Sequence, residues 1–363
     1  MNWKKKLLAL GLSLALTLSL TACGQKAAES EQPEEPAQTE EPAVEAPDGT
    51  EADTAHFRIA ALKGPTAMGL VKLMKDNDET IGALLSSAKP YEGEVGNLYT
   101  FTLAGSADEV TPALIKGDLD MACVPANLAA VLYGKTGGAV EVLAVNTLGV
   151  LYILEKGNSV QSMADLEGRT VYATGQGANP EFVLNYLLTE NGVDPANVDI
   201  QWMTAQEVTA KMASSEDGVC LLPVPAAAAL MLQDAGVRQA LSLTEEWSKV
   251  SSGQLAMGCI VARTDYIEEN PQGVENFLSA YQDSIAYMSD PANLEDAAQL
   301  VAQYGITPNA AIARSAIPQC NLVCLTGVEM KAVLEDYYQV LYDADPASIG
   351  GALPYDSFYY GVS

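Results

Sequence analysis

Six cysteines, one histidine and a few closely spaced carboxylates are the residues whose types could do chemistry here. Cys320 and Cys324 stand C-x3-C with no second pair and no histidine near them, too few ligands for a four-coordinate zinc site. They read as a structural disulfide or as two buried thiols, and Cys123, Cys220 and Cys259 lie in apolar runs that read as core. His56 is the only histidine; it falls at the seam before the first apolar run and reads as a surface residue with no partner for a Ser/His or Cys/His couple. Asp118 and Asp120 are close enough in sequence for acid–base work, but they sit where a helix ends and a strand begins, the setting of a solvated turn. Gly134-Lys135-Thr136 imitates the end of a phosphate-binding loop, yet the upstream glycine position is Ala129. Gly175-Gln176-Gly177 imitates a dinucleotide fingerprint, yet its third glycine position is Pro180. The expectation is a protein without cofactor, metal or catalytic residues.

The elements that surround these residues say more. Residues 57–62 read as a strand, 63–66 as a turn and 67–75 as a helix with Met68, Val71 and Met74 on one face. Residues 98–104 and 121–124 are further strands; Gly105-Ser106 and Pro125-Ala126-Asn127 turn them into helices, and 140–145 is another strand. After a loop over 157–168 the pattern repeats. Residues 170–174 form a strand, and Gly175, Gln176, Gly177 and Ala178 lead into Asn179-Pro180-Glu181, an N-cap, a proline in the first turn and an acid, opening a helix to Glu190. Residues 198–203 and 219–222 are strands, the second followed by Pro223-Val224-Pro225 and an Ala-rich helix. From Asn270 on the chain reads as mostly helical, with the closing aromatics Tyr355, Phe358, Tyr359 and Tyr360 pinning the C-terminus.

Strand–turn–helix units of this kind argue for parallel α/β architecture, with ligands taken in a crevice at the carboxyl ends of the strands. The turns there are built from small residues, which lets a ligand approach backbone N–H groups at helix starts. The expected object is a clamshell of two half-molecules gripping a solute through main-chain donors.

Composition bounds the partners. The 363 residues suit two domains, and 19 Lys and Arg against 47 Asp and Glu give a net charge of −28. Such a chain repels phosphate backbones, which excludes nucleic-acid binding. Lys4, Lys5 and Lys6 precede an uncharged, mostly apolar run over 7–22, the form of a secretory signal. The run ends in Leu20-Thr21-Ala22-Cys23-Gly24, which resembles a bacterial lipobox, so Cys23 is expected to be lipid-modified after removal of 1–22. Residues 23–55, rich in Glu, Pro and Ala, read as a disordered acidic linker that holds the body off the membrane.

Three segments resemble a known family. Ala113-Leu114-Ile115-Lys116-Gly117-Asp118-Leu119-Asp120-Met121-Ala122 resembles a passage of ABC-importer solute-binding proteins. Residues 159–171, with Asp165-Leu166-Glu167-Gly168-Arg169, resemble the start of their second lobe, and the continuation from Gly175 to Asn191-Gly192-Val193-Asp194-Pro195 is similar to the nitrate/sulfonate/taurine and NMT1-type branch. The resemblance implies a type II periplasmic-binding-protein fold: an α/β protein of two doubly wound lobes joined by two crossover strands. Lobe 1 would be 56–147 plus 255–363 and lobe 2 148–254, with crossovers near Asn146-Thr147-Leu148 and Ser251-Ser252-Gly253. The family's ligand loops map onto Gly64, Pro65, Thr66, Ala67 and Met68; Gly105 and Ser106; Pro125, Ala126 and Asn127; Asn146 and Thr147; Gly175, Gln176, Gly177, Ala178 and Asn179; and Pro223 and Pro225. Apart from Lys63 these loops carry no Lys or Arg, whereas an anion binder often supplies a guanidinium clamp, so a neutral or zwitterionic solute stands beside nitrate or sulfonate.

The function implied is capture of a small organic or anionic solute and delivery to an ABC permease and its ATPase, by a non-enzymatic monomer exported and lipid-anchored to the outer face of the cell membrane. Two other readings are a ligand-presenting sensor or surface lipoprotein, and an enzyme of the same fold of the thiamine-pyrimidine or menaquinone-precursor type.

Overall fold

Short runs of Val, Ile, Leu, Ala and Cys bounded by glycine and proline make the strands. In a computed structural model, which describes residues 54–86 and 96–362, they assemble into two sheets. The expected signal over 1–22, the expected lipidation at Cys23 and the expected linker as far as residue 53 lie outside the described residues.

The first sheet has six strands: β1 (His56–Leu62), β2 (Leu98–Ala104), β3 (Met121–Pro125), β4 (Val140–Leu148), β10 (Ala256–Arg263) and β11 (Leu322–Leu325). The second has five: β5 (Leu151–Lys156), β6 (Thr170–Ala173), β7 (Asp199–Trp202), β8 (Val219–Pro223) and β9 (Val237–Ser242). The orders are β11-β4-β10-β3-β1-β2 and β7-β6-β8-β5-β9. In the first sheet β1 lies between β2 and β3, and in the second β6 lies between β7 and β8, each pairing parallel with both neighbours. In the first sheet β10 runs antiparallel between β3 and β4, and β11 at the edge is antiparallel to β4 as well; in the second, β5 runs antiparallel between β8 and β9. The sheets are therefore mixed, not purely parallel as the strand–helix alternation suggested. The strands that sequence pattern did not pick out are β5, β9, β10 and β11. Seven consecutive residues of β10, Ala256 to Ala262, are buried, as befits a central strand covered on both faces.

Helices cover both sheets. Pro271–Ser289 packs against Val71–Ser86 and β11, and Gly327–Ala344 packs on β4 and β10. Leu243–Val250 packs on β5 and β9. The single helix expected over 67–75 is two, Pro65–Met68 and Val71–Ser86. Gly69 marks the break: a Cβ there would lie 2.4 Å from the Tyr281 hydroxyl, so the backbone turns where a side chain could not fit.

Three further expectations meet their surroundings here. Asp120 is not a solvated turn residue. It is fully buried, takes the Arg58 backbone N–H at 2.8 Å, and is paired with the Arg58 guanidinium, whose pKa that bond raises; Asp118 is exposed. The chain direction reverses between the helix Ala107–Lys116 and β3, which carries one carboxylate inward beside β1. Cys320 and Cys324 are free thiols, with the Cys320 sulfur 3.3 Å from that of Met68. Phe358 and Tyr359 are buried and the Tyr360 N–H donates to the Val142 carbonyl, but Tyr355 is 77% exposed, because a single turn can aim only part of the aromatic run at the body.

Lobe 2 has its own buried charge. The Glu155 side chain on β5 is 1% exposed. Burial alone would raise its pKa, but hydrogen bonds from the Ser159 hydroxyl and backbone, from Val160 and from Arg238 outweigh that and hold it below the usual range. A lowered carboxylate stabilises the fold above its unfolded value of about 4.3, and the contribution is lost as pH falls through the folded value. Denaturant titrations should therefore show stability dropping below about pH 4, with a flatter profile for Glu155→Gln. Desolvation pushes the thiols of Cys123, Cys220 and Cys320 up to about 12 and that of Cys324 to about 11. A thiol reagent at neutral pH should leave these four untouched in the folded protein and modify them after denaturation.

Candidate functional site

The strand ends decide where a ligand can sit. The first sheet's β4 ends at Leu148 and the second sheet's β5 begins at Leu151, so two residues carry the chain from one carboxyl edge to the other. β9 ends at Ser242, and after the helix Leu243–Val250 the chain returns to the first sheet at Ala256. Between these edges lies a cavity of about 160 Å³.

Its walls come from both sheets. Leu62 and Lys63 at the end of β1, Pro65 and Thr66 of the following helix, Pro125 ending β3, Thr147 on β4 and Met257 on β10 form one side. Val150 in the crossing, Leu151 on β5, Asn179 and Pro180 at a helix start, and Pro223 ending β8 form the other. The structure thus brings together five of the six predicted groups of residues. Gly105 and Ser106 do not join them. They end β2, the edge strand, and the N–H groups of both, with the Ser106 hydroxyl, are taken by the Glu109 carboxylate, which closes that turn on itself.

Within the five groups the roles differ. Ala67 and Met68 are fully buried beneath the cavity. Gly64 precedes their helix at φ +141°, a backbone setting that glycine permits. The Thr66 hydroxyl donates to the Leu62 carbonyl at 3.0 Å, and the Thr66 carbonyl accepts from Asn146 Nδ2 at 3.3 Å. Asn146 is fully buried and also accepts from the Thr147 hydroxyl at 3.1 Å, so it supports the wall from below. Ala126 is buried, its carbonyl taken by the Tyr338 hydroxyl at 2.8 Å. Asn127 donates its N–H to Asn179 Oδ1 and its side-chain amide to the Ser348 carbonyl. Gln176 and Gly177 are exposed, and the Gly177 N–H is held by Glu181 at 2.6 Å; Gly175 and Ala178 form the turn before Asn179. Pro225 follows Val224 through a cis bond and leads into the helix Ala226–Gln233.

Two features change the expected picture. Four of the turns present a proline to the cavity: Pro65, Pro125, Pro180 and Pro223. Proline has no N–H to donate, so the expected ring of main-chain donors is at these four places an apolar collar. The second is Gly258 on β10. A Cβ there would fall 2.5 Å from Asn146 Oδ1, 2.6 Å from Thr66 Cγ2 and 3.2 Å from Thr147 Cβ, so three wall residues converge over a missing side chain. The second depended on β10, whose apolar run resembles any buried segment in sequence.

Lys63 is the only charged side chain on the wall, and no carboxylate faces the cavity. A larger groove of about 770 Å³ runs along the same helix from Glu181 to Glu190 against residues 340–348, but Glu181, Glu190, Asp343 and Asp345 give it the opposite charge. Among the described residues no group of three or more His, Cys, Asp or Glu is placed to hold a metal ion, and no helix is long and apolar enough to cross a membrane.

Two α/β lobes, each with a central antiparallel strand reached by a crossing from the other sheet, and a cavity between their carboxyl edges define the type II periplasmic-binding-protein class. Residues 104–293 match the model of the family described as NMT1/THI5 like, and the chain belongs to that family. No curated protein matches the chain. Solved structures agree on the fold. An ABC transporter structure from Parabacteroides distasonis has a TM-score of 0.66 at 20% identity, covering 85% of this chain and 99% of that one. The periplasmic aliphatic sulphonate binding protein SsuA of Escherichia coli has a TM-score of 0.63 at 17% identity, covering 80% and 93%. The alkanesulfonate-binding protein SsuA of Xanthomonas axonopodis pv. citri, bound to MOPS, has a TM-score of 0.61 at 14% identity, covering 81% and 94%.

Because Gly258 makes room for three side chains, Gly258→Ala should cost about 1–3 kcal/mol through overpacking, read from denaturant titration. The same change at exposed Gly134, where nothing lies within 4 Å of the added carbon, should be neutral or slightly stabilising.

Proposed function

We propose that this protein is the solute-binding lipoprotein of an ABC importer, taking a small solute between lobe 1 (56–147 with 255–363) and lobe 2 (148–254) and presenting it to a membrane permease with its ATPase. The observation that carries the reading is the cavity at the junction of two carboxyl strand edges, walled by residues of both sheets. A solute that touches both walls stabilises the closed arrangement by its differential affinity for it. The relatives in solved structures named above, described as an ABC transporter and as sulphonate-binding proteins, support the transport reading.

The wall chemistry narrows the solute. Leu62, Val150, Leu151 and Met257 with the four prolines favour an apolar body, the Thr66 and Thr147 hydroxyls, whose hydrogens go to Leu62 and Asn146, offer acceptor oxygens, and Lys63 offers one positive charge. This suits a small neutral or singly negative organic solute and disfavours cations and polyanions. Nothing on the wall is arranged as a nucleophile–base pair, which favours binding over turnover. The reading includes export through the leader 1–22, anchoring through lipid on Cys23, an acidic tether over 23–55, and action as a monomer at the outer face of the cell membrane.

A thermal-shift screen of small metabolites should find a compound that raises the melting temperature in proportion to the logarithm of its concentration. Failure of every small neutral and anionic compound would count against the reading. For an anionic hit, Lys63→Gln should weaken binding by about tenfold or more, since a hydrogen bond to a charged group is worth about 1.5–3 kcal/mol; for a neutral hit the change should be small. Thr147→Val should weaken a neutral hit that carries a hydrogen-bond donor, because the Thr147 hydroxyl already donates to Asn146 and is left as an acceptor.

A further inference from the structure

Asn179, expected to meet the solute, is 1% exposed, and the polar atoms of its side chain are engaged with protein. It opens a helix that belongs with the second sheet, yet its partners all belong with the first. Its Nδ2 donates to the Met257 carbonyl on β10 at 2.9 Å. Its Oδ1 accepts from the Tyr337 hydroxyl at 2.9 Å and from the Asn127 N–H at 3.3 Å. The Tyr337 ring, fully buried, also meets the ring of Trp247 at 5.7 Å between centroids, and Trp247 stands on the second sheet's helix Leu243–Val250. The Trp247 indole N–H in turn donates to the carbonyl of Gly253 in the returning crossover at 2.9 Å.

We infer that Asn179 and Tyr337 form a latch that holds the two lobes together without a solute. The inference rests on the two-lobed reading above. A solute-dependent closure needs the ligand to supply the contacts that span the cleft; here the Asn179 amide of lobe 2 already spans it, meeting Met257, Tyr337 and Asn127 on three separate elements of lobe 1. Buried together, these groups can keep their hydrogen bonds only while the lobes touch, because parting them exposes each to water at the same moment. The free protein is therefore mostly closed. Solute enters through a minor open population, and its apparent affinity falls by the fraction that is open.

The test measures the distance between lobes with no ligand present. Spin labels go on Ile115→Cys and Leu232→Cys, both exposed, one on each lobe, with Cys23→Ser to leave the anchor position unlabelled. The unmodified latch should give a mainly short distance. Tyr337→Phe, which keeps the ring and removes one hydrogen bond, should lower the closed-to-open ratio by about fivefold, and Asn179→Ala should lower it further. A wild-type distribution that is mainly open, or a Tyr337→Phe distribution identical to wild type, overturns the latch. If Asn179→Ala does not fold, Tyr337→Phe alone decides. The transport reading fails separately, by the absence of any stabilising solute for the unlabelled protein.

Discussion

The two residues between β4 and β5 constrain everything else in this molecule. β4 runs with β1 and β3 and ends at the carboxyl edge of the first sheet; β5 runs against β6 and β8 and so begins at the carboxyl edge of the second. A link as short as Gly149-Val150 forces those two edges to face each other. Since turns at carboxyl edges are where α/β sheets take ligands, the crossing places two half-sites opposite one another, and the return through β10 repeats the arrangement. Gly149 itself packs against Thr244, where a Cβ would sit 2.0 Å from the hydroxyl oxygen.

The cavity that results is shaped by absences as much as by groups. Gly258 lacks the side chain that would fill it, and the four prolines lack the N–H that would make it polar. What remains is an apolar collar with two threonine hydroxyls and Lys63. The buried charges of the fold are kept elsewhere, with Asp120 paired to Arg58 and Glu155 satisfied by Ser159, Val160 and Arg238. The wall left is neutral apart from Lys63.

Asn179 joins the two themes. It lines the cavity, yet its amide is committed across the cleft, so a residue that sequence spacing marks as a ligand contact acts as a lobe-to-lobe tie. The helix start that seemed to offer donors to a solute offers them to the protein instead.

Much of the architecture was legible from local chemistry. Leu98–Ala104 has the bounds its residues imply, and the helix ending at Glu190 does too except at its start, where Ala178 rather than Asn179 is the N-cap because the Asn179 side chain is engaged with Met257, Tyr337 and Asn127. Alternation and a first-turn proline with an acid act over a few neighbours. Five of the six groups of turn residues meet at one cavity for the same reason: glycine and proline punctuate strand ends wherever the strands later pack. The antiparallel strands β5 and β10 were not legible, since a run such as Ala256 to Ala262 carries no sign of direction or of partner. The burial of Asp120, the engagement of Asn179 and the room at Gly258 depend on residues 62, 158 and 112 positions away in sequence. The chain alone determined the elements and their breaks, which are short-range; only the folded sheets decided which polar groups face the cavity, because that depends on which distant groups reach them first.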